Sequence, residues 1–223
     1  MFDVRVDITR LEDYIENFEK EKIEEGKIMF YGDSAFTRWT TERWGHRMMK
    51  DDIRAKDGSE IVINHGFGTS THEEQLYYYP RAVLPWKPKA LVMISFGNDI
   101  DCGYSPNEMV SLRARLCDYA RHDIPGIKFY ICDVRPIRKT IDNNSAMSFI
   151  KDFNSLMKAY CEKYDDCTFV EQSKSPLFYN DPADVGDYNK IRTDIFVEDE
   201  VHYNQLGYDL YRDFFLEVLD DIL

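Results

Sequence analysis

Five short, mainly apolar runs constrain this chain most, because their apolar residues are consecutive rather than at every second position. They are Lys27 to Tyr31, Ile61-Val62-Ile63, Ala90 to Ser95, Ile127 to Cys132 and Thr168 to Val170. A strand that is apolar on both sides must be covered on both sides, the environment of a parallel sheet flanked by helices. Helical spacing fills the intervals, at roughly 35–50, 70–80, 106–122, 146–163 and 204–222. This alternation predicts an α/β fold, a doubly wound three-layer α/β/α sandwich with a central parallel sheet. Ahead of the first run, Thr9-Arg10-Leu11-Glu12 reads as a capping box, and Leu11, Tyr14, Ile15 and Phe18 recur at helical spacing. An amphipathic helix is therefore expected over about 10–25, ended by Gly26.

A chain of 223 residues is most economically one domain over 1–223, with the N-terminal helical segment, 1–26, packed on it. A hydrophobic content of 43% and an aromatic content of 14% exclude a disordered chain. No apolar run reaches membrane-spanning length, and Met1 to Asp7 alternate charged with apolar residues instead of forming a signal peptide. The expectation is a cytoplasmic protein without membrane insertion. A formal charge of −13 repels phosphate backbones, so nucleic acid is not an expected partner. The cysteines at 102, 117, 132, 161 and 167 are odd in number and lack C-x-x-C spacing, which suits reduced structural thiols, Cys132 being a small buried residue. The sequon Asn143-Asn144-Ser145 carries no expectation without a secretory signal. The stretch from about 173 to 198 reads as a long loop, either a wall of a substrate pocket or a solvated insertion. Oligomeric state is not constrained.

Ligands of doubly wound sheets bind outside the carboxyl ends of the strands. Gly32-Asp33-Ser34, Asn64 to Ser70 and Gly97-Asn98-Asp99 all fall at such ends. Ser34 follows a strand and opens a helix, which suits a nucleophile and, equally in form, a helix N-cap. Asp199 and His202 stand three apart, so the carboxylate can orient an imidazole that acts as general base. The alternatives are a surface pair in an acidic loop, or a metal site with Asp194, Glu198 and Glu200 that lacks a second nearby histidine. Asn98 can donate an amide proton to an oxyanion or tie down a turn, a task better suited to Asp99. His65 and His72 read as partly exposed polar residues without catalytic duty, with a substrate contact as the alternative. Tyr77-Tyr78-Tyr79 and Trp86 read as packing rather than a sugar platform.

These words in this order resemble the GDSL, or SGNH, hydrolase family of esterases and lipases over nearly the whole chain. Gly32-Asp33-Ser34, with Trp39 after it, resembles the first block, and Asn64 to Thr71 the second. Leu84-Pro85-Trp86-Lys87-Pro88 leading to Asn98-Asp99 is similar to the third, and Asp199-Glu200-Val201-His202-Tyr203-Asn204 with Gly207-Tyr208 to the last. The resemblance implies a flavodoxin-like fold and a triad of Ser34, Asp199 and His202. It implies an oxyanion hole from the N–H groups of Ser34 and the second block, at Gly68 or Thr69, and from the Asn98 side chain. Thr69 stands where the family usually has the second of two glycines, and a β-branched residue copies a positive-φ glycine poorly. Phe96 stands where the family usually has glycine, and is expected to crowd the approach to Asn98.

The expected activity is hydrolysis of a small acyl ester, an O-acetylated carbohydrate being the preferred class, through an acyl-serine intermediate and with no metal or organic cofactor. An acyltransferase, lysophospholipase or thioesterase would use the same triad. A reading of another class is a binding module on this fold with reduced or lost catalysis. A flavin- or nucleotide-binding protein is disfavoured, since no Gly-x-Gly-x-x-Gly follows the first strand.

Overall fold

The computed structural model describes residues 5–94, 96–138 and 144–223. The first four residues, Ser95 at the end of the third apolar run and Asn143 of the sequon lie outside them. Each apolar run contributes a strand: β1 Ile28–Gly32, β2 Val62–Gly66, β3 Ala90–Met93, β4 Lys128–Cys132 and β5 Cys167–Val170. The helices are α1 Glu12–Phe18, α2 Ser34–Thr37, α3 Thr41–Trp44, α4 Met49–Asp52 and α5 His72–Ala82. They continue with α6 Gly97–Asp101, α7 Pro106–Asp123, α8 Asn144–Cys161 and α9 Gln205–Val218.

The five strands pair in parallel in the order β2-β1-β3-β4-β5. The chain steps outward from β1 to β2 and then returns to the other side of β1, so the switch point lies between β1 and β3. Two cores explain the apolar runs. Met29 and Tyr31 face a core built with α1, α5, α7 and α8, while Ile28 and Phe30 face a second core built with α2, α4 and α9. Every residue of β1 is buried, as a strand covered on both faces requires.

Three elements differ from the sequence reading. Helix α1 is shorter than expected because its capping box does not form. Thr9 Oγ1 donates to Asp7 Oδ1, and the Glu12 carboxylate is taken by Arg81 of α5. The helix stops after Phe18 since the next apolar residue, Ile23, is 53% exposed and adds nothing to the core. The helical pattern over 35–50 resolves into the single turns α2, α3 and α4, separated by Thr40 in extended backbone and by left-handed Gly45. The stretch over 173–198 forms short 3-10 turns whose Phe178, Tyr179, Ile191, Ile195 and Phe196 are buried in the second core. It is core-forming, not a solvated insertion.

Strand β2 outlasts its apolar run because the polar groups of its last residues are satisfied. Asn64 donates from Nδ2 to the Phe36 carbonyl at 2.8 Å and accepts from Gly66 N at 3.0 Å, which fastens β2 to α2. At Gly66 the two backbones nearly touch: a Cβ there would stand 2.5 Å from Thr37 N and 2.6 Å from Phe36 Cβ. Gly66→Ala must therefore push α2 off β2, and is expected to destabilise the protein by about 2 kcal/mol or more. Gly97→Ala, with nothing within 4 Å, is the matched control that should change stability little. Urea denaturation of both variants checks this, and equal midpoints would remove the close contact as a structural requirement.

Candidate active site

Ser34 is the first residue of α2, immediately beyond β1. The helix cap is Asp33, whose Oδ1 accepts from Ala35 N at 3.0 Å, so the N-cap reading of Ser34 does not hold. The hydroxyl of Ser34 is turned instead to His202, with Oγ 2.8 Å from Nε2.

His202 is presented by a tight loop. Asp199 Oδ1 accepts from the backbone N–H of both Val201 and His202 at 2.9 Å, and Glu200, between Asp199 and Val201, takes a left-handed φ of 56°. The fold around Asp199 leaves Oδ2 for His202 Nδ1, at 2.7 Å. A proton on Nδ1 shared with the carboxylate leaves the Nε2 lone pair toward Ser34. The loop is pinned from below: Val197 N donates to the His202 carbonyl at 2.9 Å, and Tyr203 stacks on Phe178 with ring centroids 5.8 Å apart. Three residues that lie 168 positions apart in sequence at their extremes thus form one hydrogen-bonded line.

The electrostatics favour a neutral imidazole. Burial lowers the His202 pKa from its ordinary value; the Asp199 carboxylate opposes this, and Arg38 and Arg135 reinforce it. Burial by itself would raise the Asp199 pKa, but hydrogen bonds from His202 and the Val201 amide hold it well below the usual carboxylate range. The two arginines were not singled out in the sequence. Arg38 Nη1 is 3.4 Å from Asp199 Oδ2 and its guanidinium lies 4.0 Å from the centre of the Trp44 ring. Arg135 donates to the Val201 carbonyl at 2.7 Å and packs 4.3 Å from the centre of the Tyr203 ring. The spacing of Arg38 from Ser34, four residues on a helical turn, is a signal that could have found it; Arg135 carries none.

The second block lies beside Ser34. A Cβ on Gly68 would stand 3.8 Å from Ser34 Cβ. Thr69 does adopt the left-handed backbone of the glycine it replaces, with φ 65°. For a β-branched residue this conformation costs on the order of 1–3 kcal/mol, to be offset by surrounding contacts. Asn98 Nδ2 donates to the Ser70 carbonyl at 3.1 Å, which fixes the amide and leaves its second N–H for another acceptor. The expected crowding by Phe96 does not arise. Its ring is buried against Phe149 and Phe153 of α8, at centroid distances of 5.8 and 5.5 Å.

The histidines of the second block are buried, not partly exposed. His65 stacks on Phe18 at 4.1 Å and donates from Nδ1 to the Ala82 carbonyl at 2.6 Å. His72 lies against buried Asp99, which accepts from the His72 backbone N–H at 2.8 Å and so ties α6 to the start of α5. Tyr78, Tyr79 and Trp86 are buried, and Tyr77 is exposed. All five cysteines are free thiols. Among the described residues no cluster of three or more His, Cys, Asp or Glu is arranged to hold a metal ion. Nor is any helix among them long and apolar enough to cross a membrane.

The GDSL-like Lipase/Acylhydrolase family matches residues 30–210. The chain belongs to that family. Solved structures share the fold: a GDSL-like lipase from Bacteroides thetaiotaomicron VPI-5482 is 17% identical with a TM-score of 0.72, covering 97% of this chain and 100% of that one. A putative acylhydrolase from Bacteroides fragilis NCTC 9343 is 17% identical with a TM-score of 0.71, over 97% and 98% of the two chains. A variant of an acetyl-xylooligosaccharide esterase from Geobacillus Stearmophilus is 14% identical with a TM-score of 0.65, over 88% and 95%. At such identities the likeness is one of fold. Among curated proteins none matches the chain in sequence. Helix α1 and the residues before it precede the stretch that the GDSL-like family matches.

The position of Arg38 has a measurable consequence. In an NMR titration, His202 should show a midpoint below its ordinary 6.5, so that the ring is neutral at pH 7. Arg38→Gln removes a cation that opposes protonation and should move that midpoint upward. An unchanged or lower midpoint would show that Arg38 does not act on the imidazole.

Proposed function

We propose that this GDSL-like protein is a serine esterase that hydrolyses a small acyl ester through an acyl-serine intermediate. The observation that carries the reading is the continuous line from Asp199 Oδ2 through His202 to Ser34 Oγ, with distances of 2.7 and 2.8 Å. A neutral imidazole whose Nε2 faces a serine hydroxyl is the arrangement that general-base activation needs. Ser34 Oγ attacks the acyl carbon while its proton passes to His202 Nε2. Asp199 keeps the proton on Nδ1 and stabilises the imidazolium. Negative charge then develops on the former carbonyl oxygen, toward the N–H groups of Ser34, Gly68 and Thr69 and the remaining amide proton of Asn98. His202 returns its proton to the departing alcohol. Water then attacks the acyl-serine, again giving a proton to His202, and the acid leaves as Ser34 is restored.

An O-acetylated carbohydrate is the substrate class we favour. The fold likeness to an acetyl-xylooligosaccharide esterase supports it.

Intact-protein mass spectrometry after exposure to a small fluorophosphonate tests the nucleophile. One adduct is expected on the wild type and none on Ser34→Ala. An adduct that persists in Ser34→Ala, or a folded wild type that takes none, would sink the assignment. Asp199→Asn should lower kcat for an acetyl ester by about a hundredfold or more, through the wrong imidazole tautomer, with little change in thermal stability. A panel of acetyl, butyryl and longer esters should show kcat/KM falling with chain length; a preference for long chains would replace the acetyl-ester proposal.

A further inference from the structure

The N-terminal segment reaches the site through Arg10, which lies just before α1 and outside the stretch matched by the family. Its guanidinium is divided between two partners. Nε and Nη2 fork onto the Glu74 carboxylate at 2.7 and 2.9 Å. Nη1 donates to Thr69 Oγ1 at 3.1 Å, and Nη2 donates also to the Thr69 carbonyl at 2.6 Å.

Each partner has a separate reason to matter. The Glu74 side chain is fully buried and closes the capping box of α5, accepting from Thr71 N at 2.9 Å and Thr71 Oγ1 at 3.0 Å. It is thus a fixed anchor on α5, and Arg10 supplies its countercharge. Thr69 is the residue held at φ 65°, where a β-branched side chain resists remaining. Relaxation of Thr69 to extended backbone would rotate the peptide planes on either side of it and re-aim the N–H groups of this loop. Arg10 binds both the side-chain oxygen and the carbonyl oxygen of Thr69, and a change in φ or ψ cannot keep both bonds.

We infer that Arg10 is a positioning residue of the oxyanion loop. It locks Thr69 in the left-handed conformation, so that the amides of Gly68 and Thr69 face the acyl oxygen at Ser34. This rests on the esterase reading given above. A rigid planar fork can serve Glu74 and Thr69 together, whereas a lysine at the same place can keep the charge near Glu74 but not the geometry at Thr69.

The test is Arg10→Lys in two backgrounds, wild type and Thr69→Gly, with steady-state kinetics on an acetyl ester and thermal unfolding on every variant. In the wild-type background kcat should fall by about tenfold or more, as for a misplaced oxyanion donor, with KM changed less than about twofold. Glycine takes the left-handed conformation without strain, so the loss caused by Arg10→Lys should shrink to about threefold or less when measured against Thr69→Gly alone. An equal loss in both backgrounds, a change confined to KM, or no loss at all would overturn the inference. If Arg10→Lys fails to fold, Arg10→Gln with Glu74→Gln replaces it, since that pair leaves no buried carboxylate uncompensated. A folded wild type that neither hydrolyses the ester nor takes the fluorophosphonate overturns the esterase reading and this inference together. An active wild type with an unimpaired Arg10→Lys overturns this inference alone.

Discussion

Because Gly32 pairs with Gly66 and Tyr31 with Met93, the carboxyl ends of β1, β2 and β3 finish almost level with one another. The loops that leave those ends carry Ser34, Gly68 and Asn98, so this register brings the first three motifs together before any side chain is considered. The contact is close enough to exclude a side chain at Gly66, where the backbone of α2 lies on β2. A slip of one residue would break this contact and reverse the faces of a strand whose alternate residues belong to two different cores. The site depends on the sheet in this literal sense.

His202 comes to that edge by another route. Its loop is built on the second core, where Phe196 bridges Tyr203 and Phe178 stacks on the Tyr203 ring. The long stretch before it is therefore the foundation of the histidine rather than a cover over it. Charge is distributed in the same spirit. In a chain of net charge −13, two arginines flank the Asp199–His202 pair and offset the carboxylate's pull toward a protonated ring. The Asp199 carboxylate alone would favour imidazolium, and an imidazolium cannot accept a proton from serine.

Thr69 shows how a family position tolerates an unfavourable residue. The backbone that glycine would adopt freely is kept, and contacts from a distant segment are available to hold it. Those contacts come from residues ahead of the family's matched stretch, which ties the N-terminal segment to the second-block loop as well as to the core.

Much of this was legible in the chain. The uninterrupted apolar runs required a doubly covered parallel sheet, and the three loop motifs at strand ends required one edge to hold them, because backbone pairing and burial act on local patterns. The chain also named Ser34, Asp199 and His202 as candidates by residue type and order. It misjudged what depends on partners distant in sequence. Glu12 was read as a cap and is held by Arg81; Phe96 was read as an obstruction and is drawn into the core by Phe149 and Phe153. His65 and His72 were read as partly exposed and are buried, His65 stacked on Phe18 with its ring donating to the Ala82 carbonyl, and His72 packed against Asp99 and Phe153. Arg10 and Arg135 carried no mark of the site and Arg38 only its spacing from Ser34, since an arginine's reach allows many partners and only the packed fold selects one. Local propensity and hydrophobic period thus determined the elements and their edge, while side-chain pairing across tens of residues, which exists only once those elements have packed, decided the charge and the geometry at Ser34.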